Sequence, residues 1–144
     1  GQSIRFNEKD VREMGRTAAG VRVMKLAKGD KVVGAHRVSK EDEKSAEILT
    51  MGENGYGKKT PMSEYKIQNR GGSGIKTSNV TAKTGNIISS ALVTPDAEEV
   101  VAMSKRSQVI RLETKEIPSL GRSTQGVRIM KLRDGDSIAS LICL

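Results

Sequence analysis

Near its start the chain carries the stretch "QSIRFNEKDVREMGRTAAGVRVMKLAKGDKVVG" (Gln2–Gly34), which recurs as "QVIRLETKEIPSLGRSTQGVRIMKLRDGDSIAS" (Gln108–Ser140). The two copies align without a gap at a constant offset of 106 residues. They share Gly-Arg, Gly-Val-Arg and Met-Lys-Leu in the middle and Gly-Asp near the end. An ungapped match of this length indicates a fold assembled from copies of one unit.

A third, more diverged copy lies between these two and contains the loop "IQNRGGSGIKTSNV" (Ile67–Val80). Each copy contains an arginine with a glycine four residues after it and another basic residue eleven residues before it. The three sets are Arg16, Arg70 and Arg122; Gly20, Gly74 and Gly126; and Arg5, Lys59 and Arg111. We expect the recurring arginine and glycine to be required for structure, for function, or for both.

Each copy has the pattern of about four short antiparallel strands. "ILTMGENGYGKKT" (48–60) and "VVAMSKRSQVIRL" (100–112) predict hairpins around short turns. "VRVMKL", "IKTSNV" and "VRIMKL" alternate apolar and polar residues, as half-buried strands do. A Gly-Asp or Gly-Asn turn then precedes a fourth, apolar strand: "KVVGAHRV", "IISSALV" or "SIASLICL". No helix is predicted, although "VSKEDEKSAEI" could form one turn.

Four strands per repeat of about 50 residues predict an all-β, propeller-like fold with about three four-stranded antiparallel blades. We predict one domain with blade repeats at 1–38, 48–93 and 100–144, joined by acidic connectors at 39–47 and 94–99. The first repeat lacks its leading strand, and propellers usually carry about 4–8 blades. The chain is therefore expected to be part of a longer array, with an exposed edge that invites strand exchange or dimerisation.

Positive charge is concentrated in the repeats. The formal net charge is +8 and the sequence pI is about 9.8. The repeats hold 23 basic and 10 acidic residues, whereas the connectors hold 2 basic and 7 acidic residues. A basic protein of this kind binds nucleic acid or an anionic membrane surface, or is simply kept soluble by its charge. Basic repeats arrayed along one rim would form a continuous electrostatic track.

The aromatic residues favour duplex DNA over single strands as the partner. Phe6, Tyr56 and Tyr65 are the only aromatic residues, and proteins that bind single strands usually stack bases on several rings. Duplex binding through phosphates needs only Lys, Arg and backbone N–H groups. The sequence contains neither a predicted helix for the major groove nor zinc-finger spacing, so no base readout is expected.

No pattern in the sequence predicts catalysis, a metal or a cofactor. The phosphate-loop, zinc-protease and serine-hydrolase motifs are absent, and no carboxylate cluster supports a tyrosine nucleophile. His36 and Cys143 are the only residues of their types, and we expect a surface imidazole and a packed thiol. Without an apolar run long enough for a membrane span or a signal-peptide pattern, we expect a reducing, cytoplasmic location and no membrane partner.

The segments "GQSIRF…VREMGRTAAGVRVMKLAKGDKVVG", "NGYGKKTPMSEY" and "EIPSLGRSTQGVRIMKL" resemble the family of C-terminal domains of the DNA gyrase A subunit over nearly the whole chain. The resemblance implies a β-pinwheel, a propeller-like disc whose neighbouring blades exchange strands. It also implies a non-catalytic domain that bends duplex DNA on its rim. The partners would be the rest of the A subunit together with the B subunit, with the catalytic tyrosine and the ATPase elsewhere. The corresponding domain of topoisomerase IV is a near rival.

The family carries a wrapping box of the form Gln-Arg-Arg-Gly-Gly-Lys-Gly. The loop at 68–74 matches it at five of seven positions, while Asn69 and Ser73 replace two basic residues. The matching residues are Gln68, Arg70, Gly71, Gly72 and Gly74. The glycines would let the backbone approach a phosphate and Arg70 would supply a charged fork, or the loop is a structural turn.

The leading prediction is therefore a duplex-DNA-binding and bending module that acts by phosphate neutralisation and shape. A propeller-like scaffold for an acidic protein is the alternative. The predicted rim contacts are Arg5, Arg16, Lys58, Lys59, Arg70, Lys76, Arg111 and Arg122. Arg22, Lys25, Arg128 and Lys131 also recur, and are read as the outward face of a strand. Gly20, Gly74 and Gly126 are read as turn formers rather than ligands.

Overall fold

The computed structural model describes residues 1–144 and contains nine strands and no α-helix. The strands are β1 (Gln2–Ser3), β2 (Glu47–Gly52), β3 (Tyr56–Pro61), β4 (Ile75–Lys76), β5 (Ile87–Val93), β6 (Glu99–Ser104), β7 (Val109–Glu113), β8 (Val127–Arg128) and β9 (Ile138–Cys143). Single 3₁₀ turns lie at Glu8–Asp10, Asp42–Lys44, Met62–Glu64 and Thr114–Glu116. All strands pair in antiparallel fashion, which confirms the all-β prediction. None of the helical turns approaches the length and apolarity of a membrane-spanning helix.

Both predicted hairpins form. β2 pairs with β3 and β6 pairs with β7, each around a short turn. The first turn places Gly55 at φ +81°, and the equivalent position of the second turn is Ser107 at φ +62°. Glycine adopts this left-handed region at no steric cost, whereas a serine there is uncommon.

Neighbouring modules exchange strands. The middle sheet has the order β5-β2-β3-β8, and β8 comes from the third module rather than the second. Tyr56 pairs with Arg128, and Gly57 pairs with Val127. The first two modules are joined in the same way, because β4 of the second module pairs with β1 of the first. This is the exchange that the family resemblance implied.

The strands differ from the prediction in length and number. The predicted third strands contribute only two residues each in the second and third modules and none at 21–26, and 31–38 forms no strand. Only the middle sheet has four strands; the others have three and two. The reason is strand exchange: residues 21–26 have no preceding hairpin in this chain to pair with. Likewise, the strand equivalent to 31–38 in the second module, β5, pairs with the leading strand β2, which the first module here lacks.

The apolar core joins the second and third modules. One cluster contains Leu49, Val93, Val100 and Ile117, and a second contains Met51, Ala102, Met130 and Ile138. Each cluster takes residues from both modules, so neither module has a separate core. Full burial of one such aliphatic side chain stabilises the fold by about 1.5–3 kcal/mol.

The first module leaves exposed the positions that the other modules bury. Val11 is 38% exposed, whereas its counterparts Tyr65 and Ile117 are 4% and 1% exposed. Val32 is 59% exposed, and its counterpart Ile138 is 1% exposed. All three modules thus carry apolar residues at the core-facing positions. These positions are covered in the second and third modules and exposed in the first.

Candidate nucleic-acid interface

The recurring arginines lie at the joints between modules. Nη1 of Arg122 donates to the backbone carbonyl of Lys76 at 2.8 Å, and Nη1 of Arg70 donates to the carbonyl of Arg22. Arg22 and Lys76 occupy the same position in successive modules. Each arginine therefore fastens its own module to the module before it. Arg16, which has no preceding module in this chain, is exposed and makes no side-chain hydrogen bond or ion pair.

The 3₁₀ turns supply the second partner of these arginines. Nε of Arg70 donates to the carbonyl of Asp10 at 3.0 Å. Glu64, at the equivalent position, accepts from the backbone N–H of Arg122 at 3.0 Å and lies 3.8 Å from its Nε. A guanidinium has five N–H donors, so both arginines keep donors beyond those used at the joint.

The recurring glycines let the exchanged strands approach each other. Gly126 has φ +82°, and a Cβ there would lie 2.5 Å from the carbonyl oxygen of Gly57. Gly74 has φ +79°, and its Cβ would lie 2.2 Å from the carbonyl oxygen of Ser3. Gly20 has the same backbone conformation with nothing near it. The left-handed φ that all three glycines share supports their reading as turn formers, and the close approach of strands adds a second constraint at Gly74 and Gly126.

The box-like loop is docked on the first module. Gln68 N–H donates to the carbonyl of Arg5 at 2.7 Å, and Gly71 N–H donates to Val23 at 2.9 Å. The carbonyl of Gly72 accepts from Lys25 N–H at 2.8 Å. Much of the loop backbone therefore forms hydrogen bonds across the joint. This favours the alternative in which the loop is a structural turn. Contact of Arg70 with a phosphate stays a prediction.

The other recurring basic position is paired with the acidic connectors. Arg5 Nη2 lies 2.7 Å from Glu43, and Lys59 Nζ lies 2.9 Å from Glu47. Arg111 forms the matching pair with Glu99, through Nε at 2.8 Å and through Nη2. Folding therefore brings together the charges that the sequence keeps apart. These three predicted rim residues carry a neighbouring carboxylate that a phosphate would have to displace.

Lys58 must be removed from the predicted rim contacts, because it is buried. Its side chain is fully inaccessible to solvent, and Nζ donates to the carbonyl of Arg122 at 2.8 Å, to Thr124 Oγ1 at 3.0 Å and to the carbonyl of Gly121. Burial lowers the pKa of this ammonium to about 8, with Glu64 raising it and Arg122 lowering it. The repeat held a signal for this burial, since the equivalent residues are Ile4 and Ile110.

Positive charge still dominates the surface. Six of the 25 Lys and Arg side chains form ion pairs. Lys76 is exposed, and its Nζ donates only to Asn79 Oδ1, at 3.1 Å. Two exposed cations without an ion pair, Lys40 and Lys44, lie in the first connector. Fifteen others are spread over all three modules and are Lys9, Arg12, Arg16, Arg22, Lys25, Lys28, Lys31, Lys66, Lys76, Lys83, Lys105, Arg106, Arg128, Lys131 and Arg133. No group of three or more His, Cys, Asp and Glu side chains is placed to hold a metal.

Sequence reasoning missed a group of residues around Tyr56. Lys83 Nζ lies 5.3 Å from the centroid of the Tyr56 ring, and the Arg128 guanidinium lies 5.6 Å from it. Arg128 also donates to the Tyr56 hydroxyl at 3.1 Å. The only available signal was the recurrence of Arg128 and Lys131, because Tyr56 replaces a glutamine of the other copies, Gln2 or Gln108.

Exchange of strands between neighbouring modules of antiparallel sheet, with an arginine and a glycine at both joints, defines the propeller-like β-pinwheel class of domain. A family model described as "DNA gyrase C-terminal domain, beta-propeller" matches residues 1–39, 46–95 and 98–144. The chain therefore belongs to the family of DNA gyrase C-terminal domains, which the A subunit of the enzyme carries.

Individual relatives agree with this family. The DNA gyrase A subunit of Staphylococcus epidermidis is 46% identical over 138 residues, which cover 96% of this chain and 15% of that protein. The chain thus spans about a seventh of the length of such relatives. A solved DNA gyrase A C-terminal domain is 31% identical with a TM-score of 0.83, covering 99% of this chain and 47% of that one. A topoisomerase IV C-terminal domain superposes with a TM-score of 0.88 over 100% of this chain and 44% of that one; at 21% identity it supports the fold alone.

Proposed function

We propose that this chain is a non-catalytic module that binds duplex DNA through phosphate contacts and bends the DNA around its basic surface. In a bacterial type II topoisomerase, this wrapping would present a DNA segment in a fixed sense and so support negative supercoiling. Strand breakage and ATP hydrolysis would be carried out elsewhere, by the B subunit together with the rest of the A subunit. The setting would be the cytoplasm.

The observation that carries this proposal is the surplus of unpaired positive charge on a member of the gyrase family. Nineteen of the 25 Lys and Arg side chains form no ion pair, and seventeen of these are exposed, fifteen of them in the three modules and two in the first connector. A protein that neutralises several phosphates releases their counterions, which gives affinity without sequence preference and without a cofactor. The three aromatic side chains, with Tyr56 and Tyr65 buried, offer no platform for stacking unpaired bases.

The rim contacts fall into three groups under this proposal. Arg16, Lys76 and the other exposed cations of the three modules that form no ion pair would bind phosphates directly. Arg70 and Arg122 would contact phosphates with the donors that their joints leave free. Arg5, Lys59 and Arg111 would contact phosphates by exchanging their connector carboxylates for them.

The test is the affinity of the 144-residue chain for duplexes of about 20 and about 150 base pairs across a salt series. We expect much tighter binding to the long duplex, with a steep fall in log K as log salt rises. Equal, weak binding to both lengths would contradict DNA bending by this chain. That outcome would favour the alternative, a scaffold whose basic surface binds an acidic protein.

A further inference from the structure

An open cleft of about 410 Å³ lies at the joint between the second and third modules. Its lining includes Tyr56 and Lys83 from the second module and Arg128, Lys131 and Asp136 from the third. The cleft therefore exists only because β8 pairs with β3 and carries the third module's cations to the second.

The cleft carries more positive than negative charge. Lys83, Arg128 and Lys131 are exposed, and none of them forms an ion pair. Asp136 is the one carboxylate in the lining, and its oxygens already accept from the Ser104 hydroxyl and from the N–H groups of Arg106 and Ser137. Three uncompensated cations around a solvent-filled space attract an anion.

Tyr56 holds the guanidinium of Arg128 in place. The ring is 8% exposed and is flanked by Lys83 and Arg128, both within the range of cation–π attraction. The hydrogen bond from Arg128 is the largest effect on the Tyr56 phenol and lowers its pKa. Burial opposes this shift, and the charges of Arg128 and Lys83 reinforce it. An arginine fixed before its ligand arrives loses less side-chain entropy on binding.

We propose that this cleft seats a phosphate of duplex DNA where the backbone crosses from the second module to the third, with Arg128, Lys83 and Lys131 as ligands and Tyr56 as the positioning residue. Arg128 supplies a fork that matches two phosphate oxygens, and the two lysines supply point charges. The Tyr56 ring is covered, so the cleft reads the backbone and not a base. This inference rests on the proposed function.

The corresponding joint between the first two modules lacks this arrangement. There Gln2 lies opposite Lys76, and the ammonium of Lys76 donates to Asn79. No aromatic ring flanks that cation, so the second joint is expected to be the stronger phosphate seat.

The first test compares Arg128→Ala and Lys131→Ala with Lys40→Ala in the complete 144-residue chain. Lys40 is an exposed connector lysine without an ion pair, so its loss removes the same charge away from the cleft. With the duplex of about 150 base pairs, each cleft variant should lower the salt slope by about 1 and the affinity roughly three- to tenfold at about 100 mM salt. Lys40→Ala should leave the slope unchanged.

The second test follows the Tyr56 ring directly by NMR. The chain has only two tyrosines, and Tyr65 is buried against Thr77, so Tyr65 serves as an internal reference. Tyr56→Phe assigns the signals and, by removing the hydroxyl that holds Arg128, should weaken DNA binding two- to threefold without changing the salt slope. Addition of a short duplex should shift the Tyr56 ring resonances and leave those of Tyr65 in place.

The outcomes separate the cleft from the proposed function. Tight, salt-dependent binding by the wild-type chain, with cleft variants equal to Lys40→Ala and an unmoved Tyr56 signal, would overturn the cleft and leave the function standing. Absence of wild-type binding to the long duplex would overturn both.

Discussion

The ammonium of Lys58 donates to the backbone carbonyl of Arg122 at 2.8 Å, across the joint between the second and third modules. Lys58 thus stabilises the loop that carries Arg122, the recurring arginine of the third module. Lys58 belongs to the architecture of the candidate interface and not to its DNA-facing surface.

Replacing Lys58 is expected to destabilise the joint. Lys58→Met keeps the volume but leaves the carbonyls of Gly121 and Arg122 and the hydroxyl of Thr124 without their donor. We expect the free energy of unfolding to fall by about 1–3 kcal/mol, measured by urea denaturation. Lys66→Met, at an exposed lysine without an ion pair, is the matched control and should change stability by less than about 0.5 kcal/mol. Equal stability of both variants would contradict a structural role for Lys58.

The stability that Lys58 contributes should depend on pH in a defined direction. The pKa of Lys58 in the folded chain is lowered to about 8 from a usual value of 10.5. Between these values the unfolded chain binds more protons than the folded chain, so this group favours folding increasingly as pH rises from about 8 to 10.5. Urea denaturation at several pH values should show the wild-type free energy of unfolding rising relative to that of Lys58→Met. If the free energy of unfolding of the wild type instead fell relative to that of Lys58→Met as pH rises, the three hydrogen bonds would affect the pKa of Lys58 more strongly than its burial does.

The glycine at the second joint should be far less replaceable than the one in the first module. Gly126→Ala combines a left-handed φ with a clash against the Gly57 carbonyl, whereas Gly20→Ala meets no neighbour at the same φ. We expect Gly20→Ala to cost no more than about 1–2 kcal/mol of unfolding free energy and Gly126→Ala clearly more. Thermal denaturation measures the difference. Similar costs would mean that backbone conformation alone, and not the close approach of strands, fixes this glycine.

The recurring arginines should separate into two kinds. Arg122→Ala removes the donor to Lys76 and should lower the free energy of unfolding by about 1–2 kcal/mol as well as weaken DNA binding. Arg16→Ala should weaken DNA binding alone, because Arg16 has no protein partner. Urea denaturation and DNA titration of both variants make the comparison. Loss of stability in Arg16→Ala would contradict this assignment.

The connector carboxylates should reduce DNA affinity by occupying rim cations. Glu99→Gln releases Arg111 and should raise the affinity roughly two- to fivefold, with a salt slope about 1 steeper. Glu98→Gln removes the same charge from a neighbouring residue that forms no ion pair, and should have a smaller effect. If both variants raised the DNA affinity equally, the increase would come from the change in net charge and not from the release of Arg111.

The repeat predicted the hairpins and the turn-forming glycines well, because these follow from local patterns. Gly126 and Gly74 recur at a fixed distance from the arginine, and that spacing is the sequence trace of strand exchange. Fold class and family were therefore readable before the structure.

The partners of individual cations were not readable, because they depend on contacts distant in sequence. Lys58 meets residues of the 121–124 loop more than 60 positions away, and Glu99 reaches Arg111 only after β6 pairs with β7. The short third strands were predicted too long, because the ladder they enter belongs to another module. Tyr56 stands where the other copies have a glutamine, so the repeat gave no sign of an aromatic ring at this joint.

The most direct test of DNA wrapping is the change in linking number when a nicked circular plasmid is ligated in the presence of increasing amounts of the chain. We expect a topoisomer distribution that shifts in one direction in proportion to bound protein. The shift should disappear at salt concentrations that release the DNA. An unchanged distribution under conditions where the chain binds the same plasmid would contradict wrapping, and would reduce the module to a site that binds DNA without bending it.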